Sequence, residues 1–129
     1  MAQITAFGKY IENLNLAYNN FNNTQIPSEF DKLTRLSYLN LSNAGFVGQI
    51  PIEISHLARL VTLDLSSAPY LSVITPKLEI SNLSLLIRNL SELIELYLDG
   101  VSVSAQGTEW CEAISSSLPK LKVLSVKLL

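Results

Sequence analysis

The feature that most constrains this chain is a six-residue frame that recurs along it. In each copy an aliphatic residue stands at the first, fourth and sixth positions. The copies are residues 11–16, 36–41, 60–65, 93–98 and 121–126. Their starts lie 25, 24, 33 and 28 residues apart, and a period of roughly 20–50 residues is typical of solenoids, in which each turn of chain packs only on its neighbours.

A second series of leucines repeats in phase with the frames. Each of its members stands three residues before the next frame. The series is Leu33, Leu57, Leu90 and Leu118. Over the third to sixth positions of a frame, side chains alternate between two faces as in a β-strand, so the aliphatic fourth and sixth residues face a core and the third and fifth residues face outward. Stacked turns therefore predict a parallel sheet over a continuous leucine core.

The segments that follow the first two frames are also related, since residues 21–27 and 46–51 both begin with Phe and end in Gln-Ile-Pro. Here the sequence resembles the plant-specific leucine-rich repeat. The resemblance implies an α/β horseshoe-shaped solenoid with short parallel strands on the concave face. Proline disfavours a regular helix in the return path, so we expect loops and 3₁₀ turns on the convex face.

We expect one unit over residues 1–129, with repeats at 11–35, 36–59, 60–92, 93–120 and a partial repeat at 121–129. The 60–92 repeat is irregular because it is about nine residues too long. One short helix is predicted on the convex face. Its apolar face combines Trp110, Ala113, Ile114, Ser117 and Leu118, and Pro119 ends it.

An asparagine that closes the strand motif in this kind of repeat is present at Asn19, where its amide can bond loop backbone groups. Ala44, Ala68 and Val101 stand at the equivalent positions of the next three turns. The backbone of those turns must therefore find other partners.

Two strings, residues 93–101 and 104–111, together with residues 43–46 and 77–79, resemble the N-terminal part of the ectodomain of plant receptor-like immune proteins of the Verticillium wilt resistance type. The resemblance implies a receptor without a kinase, anchored in the plasma membrane, that faces the outside of the cell. It implies a protein or peptide ligand, and a coreceptor kinase as a second partner. We expect this chain to be a fragment of such a receptor, in which Cys111 lacks its disulfide partner.

Composition narrows the possible functions. The net charge of −2 gives no basic surface for nucleic acid, no apolar stretch is long enough to span a bilayer, and no secretory signal is recognisable.

A single cysteine and a single histidine, His56, cannot build a metal site. The strand frame sends Asp64 to the concave face and His56 to the back, which disfavours a catalytic triad, and no phosphate-binding glycine motif occurs. We expect no cofactor, no metal and no enzymatic activity.

Polar and aromatic residues at the outward positions of the frames and just after them form the candidate ligand-binding surface, because solenoids bind partners on their exposed concave sheet. The surface comprises Asn13, Asn15, Tyr18, Tyr38, Asn40, Asn43, Thr62, Asp64, Glu95, Tyr97 and Asp99. Four Asn-x-Ser/Thr sequons, which begin at Asn22, Asn40, Asn82 and Asn89, are candidate glycosylation sites.

Three alternatives to a receptor segment remain open at this point. The chain could act as a soluble inhibitor of a secreted pathogen enzyme, as the similar polygalacturonase-inhibiting repeats do. It could be a truncated product without activity of its own, since open solenoid ends expose leucines. A hydrolase that depends on His56 is the third alternative.

Overall fold

Short parallel strands, one from each turn of chain, form the main sheet of the protein. The computed structural model describes residues 8–68, 77–104 and 107–127. The strands in this part of the chain are β1 (Asn13–Asn15), β2 (Tyr38–Asn40), β3 (Gly48–Gln49), β4 (Thr62–Asp64), β5 (Leu78–Ile80), β6 (Glu95–Tyr97), β7 (Ser102–Val103) and β8 (Val123–Ser125). The main sheet has the order β1-β2-β4-β6-β8, and all its pairs are parallel.

The middle residue of every main-sheet strand is a leucine, and these leucines lie in register. The column is Leu14, Leu39, Leu63, Leu96 and Leu124. Its three inner members are fully buried, whereas the members on the two outer strands are partly exposed because each has a neighbour on one side only. The predicted parallel sheet over a leucine core is confirmed.

Further columns of buried residues complete the core. The sixth frame position contributes Leu41, Leu65 and Leu98, and the first position contributes Leu36, Leu60 and Leu93. The second leucine series, Leu33, Leu57, Leu90 and Leu118, is also buried. Burial of a leucine side chain stabilises the folded state by about 1.5–3 kcal/mol, so these columns are the main source of stability.

The convex side of the first turns is built from 3₁₀ helices, as the prolines predict. Pro27 and Pro51 directly precede the Ser28–Lys32 and Ile52–His56 3₁₀ helices, with φ angles of −64° and −65°. The pyrrolidine ring restricts φ to about this value, so each proline already has the backbone angle that the start of the 3₁₀ helix requires. A third 3₁₀ helix, Gly8–Tyr10, lies before β1. Phe21 and Phe46 stack between the first two turns, with ring centroids 4.5 Å apart.

The irregular third repeat carries helix α1 (Leu83–Ile87), which no pattern in the sequence predicts. Asn82 caps it, because its side-chain oxygen accepts a hydrogen bond from the Leu85 amide at 3.1 Å. The same repeat contains β5, the middle strand of a second parallel sheet with the order β3-β5-β7. The central part of the inserted segment, residues 69–76, lies outside the described residues.

Helix α2 (Gly107–Ser117) is the convex helix that the sequence predicts. Ile114 and Leu118 are buried, and Trp110 and Ala113 pack against the core from partly buried positions. α2 packs beside α1, so the two helices of consecutive repeats form the convex surface of this end of the solenoid. Cys111 is exposed and unpaired on α2.

The tight turns after the strands are held by polar groups and by residues with positive φ. Asn19 donates from its amide to the Leu16 carbonyl at 2.9 Å, as expected. In the next turn Asn43, with φ of 51°, accepts a hydrogen bond from the backbone amide of Ala68 at 2.7 Å. This bond gives a partner to a backbone group in the turn where alanine replaces the usual asparagine. At Gly100 (φ 78°) a Cβ would lie 2.7 Å from the Ser67 carbonyl oxygen, so only glycine fits this turn.

Candidate functional site

The concave face, defined as the face of the main sheet that points away from the leucine core, consists of two rows of side chains. The first row holds the first residue of each strand, namely Asn13, Tyr38, Thr62, Glu95 and Val123. The second row holds the third residue of each strand, namely Asn15, Asn40, Asp64, Tyr97 and Ser125. Neighbours within a row stand on strands about 4.8 Å apart, so the rows form one continuous surface.

Six of the predicted residues come together at the centre of this surface. We call them the central patch: Tyr38, Asn40, Thr62, Asp64, Glu95 and Tyr97. They occupy three adjacent strands, and the exposed residues Asn13 and Asn15 extend the surface along the β1 edge. Tyr18, Asn43 and Asp99 lie in the turns that follow the strands, beside the two rows.

Hydrogen bonds join the two rows within the central patch. One oxygen of the Glu95 carboxylate accepts from the Thr62 hydroxyl and the other accepts from the Tyr97 hydroxyl, both at 2.9 Å. On the neighbouring strand, the Asn40 amide nitrogen donates to the Tyr38 hydroxyl oxygen at 3.2 Å. These bonds hold the two tyrosine rings and the carboxylate in one arrangement before any ligand binds.

The Glu95 carboxylate also changes the acidity of its partner. The pKa of Tyr97 is raised above its ordinary value of 10.0, chiefly because the hydroxyl donates to Glu95. Desolvation and the negative charges of Glu95 and Asp64 act in the same direction, since each disfavours a phenolate. The Tyr97 hydroxyl is therefore a neutral hydrogen-bonding group at physiological pH.

The second row has a structural role in addition to its exposure. Asn15, Asn40 and Asp64 each accept a hydrogen bond from the backbone amide two residues later, at 2.9, 3.0 and 3.0 Å. This local bond is the Asx turn that ends a strand and starts the bend of the chain. The side chains are consequently held in fixed orientations at the end of each strand.

Three predicted surface residues are less available than their sequence positions suggest. Thr62 is only 9% exposed, because it lies between neighbouring strands and bonds Glu95. The Asn43 amide oxygen is occupied by the next turn, and both oxygens of Asp99 accept from the Ser125 hydroxyl, at 2.8 and 3.0 Å. Tyr18, in contrast, is 81% exposed.

The structure adds members of the surface that were not predicted from the sequence. Val123 and Ser125 continue the two rows on β8, and the Ser66 hydroxyl donates to Asp64 at 2.6 Å. The signal for the β8 residues was available, because the fifth frame has the same alternation as the others. No sequence pattern predicts the hydrogen bond from Ser66, because it depends on how the chain bends after β4.

His56 lies on the convex side, where its Nδ1 is 3.5 Å from an Asp31 carboxylate oxygen of the preceding turn. Asp64 lies on the concave face, so the structure keeps the two residues on opposite sides of the sheet. Within residues 8–68, 77–104 and 107–127, no His, Cys, Asp and Glu side chains are grouped so that they could hold a metal ion. In that same part of the chain, no helix is both long and apolar enough to cross a bilayer.

The four sequons differ in their surroundings. Asn22, Asn82 and Asn89 are exposed, and they lie away from the rows of the main sheet. Asn40 is half-buried in the central patch, where its amide oxygen and amide nitrogen both make hydrogen bonds. A glycan on Asn40 would cover the patch.

Comparison with known proteins agrees with this architecture. The Leucine Rich Repeat family model matches residues 10–33 and 35–57. Receptor-like protein 7 of Arabidopsis thaliana is 48% identical over 106 residues, and the match covers 76% of this chain and 10% of that protein. Receptor-like protein 6 of the same plant is 52% identical over 40 residues. The chain thus spans about a tenth of the length of the first of these relatives.

Two solved structures have the same fold. The Arabidopsis receptor kinase HAESA, in complex with the peptide hormone IDA and the co-receptor SERK1, matches with a TM-score of 0.73 and 30% identity, over 96% of this chain and 20% of that one. An internalin from Listeria monocytogenes matches with a TM-score of 0.71 and 20% identity, over 99% of this chain and 33% of that one. The chain is a leucine-rich-repeat solenoid, and in sequence it is similar to plant receptor-like proteins.

Proposed function

We propose that this leucine-rich-repeat solenoid is a non-catalytic, ligand-binding segment of a plant cell-surface receptor-like protein, and that its concave face binds a polypeptide. The observation that supports this function best is the central patch. Three adjacent strands bring two tyrosines, two carboxylates, an amide and a hydroxyl onto one surface. Tyrosine and amide side chains at a rigid surface are typical of protein recognition.

The rigidity of the patch favours binding. The Thr62–Glu95–Tyr97 and Asn40–Tyr38 hydrogen bonds already fix the side chains in the free protein. A ligand that contacts them does not have to order them, so less of the contact energy is lost to side-chain entropy. The tyrosine rings supply apolar contact area. The Tyr38 hydroxyl accepts from Asn40 and keeps its proton for a ligand, whereas the Tyr97 hydroxyl donates to Glu95 and keeps only its capacity to accept.

The charge of the face indicates the chemistry of the ligand. Asp64 and Glu95 lie on the neighbouring strands β4 and β6, one in each row, and neither row contains Lys or Arg. Such a surface suits an extended polypeptide with hydrogen-bond donors and basic side chains, because opposite charges across an interface raise both the association rate and the specificity.

The wider biological role that we propose is based on similarity to known proteins. HAESA binds a peptide hormone together with a co-receptor, and by analogy this segment contacts a protein or peptide ligand, with a coreceptor kinase as second partner. Its place is the extracellular face of the plasma membrane, as part of a glycoprotein that signals in plant defence. The strings at residues 93–101 and 104–111 support the Verticillium wilt resistance type within the receptor-like proteins.

A peptide-display selection tests the proposed surface and does not require an identified ligand. Random peptides are selected on the 129-residue chain, and their affinities are then measured for the wild type and for the Tyr38→Ala/Tyr97→Ala variant. The loss of two central aromatic contacts is expected to weaken binding by about 10-fold or more. Tyr10→Ala is the matched control, because Tyr10 is 68% exposed but lies outside the main sheet. Equal affinities for the wild type and the double variant contradict the proposal.

A further inference from the structure

A pocket of about 210 Å³ lies on the convex side, between the start of α1 and the first half of α2. Ser81, Asn82 and Ser84 line it from the α1 side, and Trp110 and Ala113 line it from α2. The pocket is separate from the central patch, which lies on the opposite face of the main sheet. It has no part in the peptide binding proposed above.

The walls of the pocket combine one aromatic ring with several polar groups. Trp110 is half-buried and lines the pocket. Ser81, Ser84, Ser104 and Glu109 also line it, and the Ser104 hydroxyl donates to the Ile80 and Ser81 carbonyl oxygens. A sugar ring matches such a site, because its C–H face packs on the electron-rich face of an aromatic ring while its hydroxyls bond polar groups around the edge.

Asn82 is both a residue of this pocket and a candidate glycosylation site. It is the first residue of the sequon Asn82-Leu83-Ser84, it is exposed, and it lines the pocket. Its side-chain oxygen caps α1 through the Leu85 amide. An N-glycan is attached through the amide nitrogen, so the oxygen remains free to accept and the modification is compatible with the cap.

We infer that Asn82 is glycosylated and that the first sugar of the glycan occupies the pocket against Trp110, which links α1 to α2. This inference rests on the proposed function in one respect, namely passage through the secretory pathway. In the transfer step, Asn82 Nδ2 bonds to the anomeric carbon of an N-acetylglucosamine carried on a lipid diphosphate. The anomeric carbon–oxygen bond breaks, the lipid diphosphate leaves with its electron pair, and the proton from Nδ2 passes to a base of the host transferase.

The chain provides a matched control for this site. Asn89-Leu90-Ser91 has the same three residue types as Asn82-Leu83-Ser84, and Asn89 is also exposed, but it does not line the pocket. Ser84→Ala and Ser91→Ala therefore each remove one identical sequon. Ser84→Ala retains Asn82 and its helix cap, but it also removes a hydroxyl from a residue that lines the pocket. The wild type and Ser84→Ala are therefore also made in bacteria, where neither carries a glycan, and there their quenching constants are expected to be equal.

Trp110 reports on the pocket directly because it is the only tryptophan of the chain. The wild type and both variants are secreted from plant cells, sequon occupancy is measured by glycopeptide mass spectrometry, and quenching of tryptophan fluorescence by acrylamide is compared. Covering one face of the indole is expected to lower the quenching constant of the wild type roughly twofold relative to Ser84→Ala. Ser91→Ala is expected to match the wild type.

The inference is overturned if Asn82 carries no glycan, or if Asn82 is occupied and the quenching constant is the same in the wild type and in Ser84→Ala. Chitobiose added to the secreted wild type distinguishes an attached sugar from a free one: no further protection of Trp110 is expected, and protection at micromolar chitobiose would show that the glycan leaves the pocket empty and would also overturn the inference. None of these results changes peptide binding by the Tyr38 and Tyr97 surface, so failure here is distinguishable from failure of the proposed function.

Discussion

Truncation of Leu63 tests the leucine column on which the solenoid depends. Leu63 is 0% exposed and lies in register between Leu39 and Leu96. In Leu63→Ala the neighbours cannot collapse into the vacated space, because their own strands fix them. We expect the free energy of unfolding to fall by about 2–5 kcal/mol, the sum of lost transfer energy and a residual cavity. A domain is typically stable by only about 5–15 kcal/mol, so the loss is large.

Leu124→Ala is the matched control, because Leu124 stands in the same column but on the outermost strand. It is 39% exposed and has a column neighbour on one side only. Its truncation leaves no enclosed cavity and is expected to cost about 1 kcal/mol. Urea unfolding, followed by far-ultraviolet circular dichroism, measures both losses. If Leu63→Ala does not fold, Leu63→Val and Leu124→Val give the same order at smaller magnitude. Equal losses at the two positions would refute the stacked column.

Single substitutions also test the concave network and the turns beside it. In Glu95→Gln the Tyr97 pKa falls towards 10.0, because the neutral amide no longer opposes the phenolate. The stability that comes from this raised pKa is fully present below about pH 10, the ordinary tyrosine value, and is lost as pH rises through the higher pKa of Tyr97 in the folded protein. An NMR titration of the Tyr97 ring that gave the same pKa in Glu95→Gln and in the wild type would contradict the hydrogen bond. Asn43→Ala lowers the free energy of unfolding by about 1–2 kcal/mol more than Asn43→Gly, since only alanine is strained at positive φ; equal losses in urea exclude that strain. Gly100→Ala lowers the melting temperature more than Gly48→Ala, although their φ angles are 78° and 80°, because only at Gly100 would the new Cβ approach within 3 Å of another residue's backbone. A reversed order in thermal unfolding would contradict the packing of this turn.

The main sheet could be predicted from the sequence because two periodic signals agree. The alternation within each frame determines which side chains face the core, and the repeat determines which strands lie side by side. Together they predict the register of Leu14, Leu39, Leu63, Leu96 and Leu124 that the structure shows. The 3₁₀ helices after Pro27 and Pro51 were predictable for a local reason, since proline restricts its own φ.

Helix α1 could not be predicted in the same way. Its five residues, Leu83–Ile87, are too few for a helical periodicity to be distinguished from an apolar strand. The helix starts after its cap, Asn82. In the sequence alone, this asparagine is equally consistent with a sequon and with a helix cap. Packing against α2 of the next repeat, which no local pattern encodes, makes the short helix stable.

The rows of the candidate surface were predictable, but the availability of each side chain was not. Thr62 and Glu95 are 33 residues apart in sequence, and their hydrogen bond exists because β4 and β6 are neighbours in the sheet. The same holds for Asn43 and Ala68, which meet across consecutive turns. Contacts between repeats depend on the residues of both repeats, whereas the frame of a single repeat indicates only the direction of a side chain.

Binding of a polypeptide to the concave face is tested most directly by an NMR map of the bound surface. A peptide selected on the wild-type chain is titrated into isotope-labelled protein, and the shifts of backbone amides are followed. We expect the largest shifts to fall on β2, β4 and β6 and on the bends that follow them. Shifts concentrated on the convex Ser28–Lys32 and Ile52–His56 helices, with the three strands unchanged, would contradict binding at the central patch.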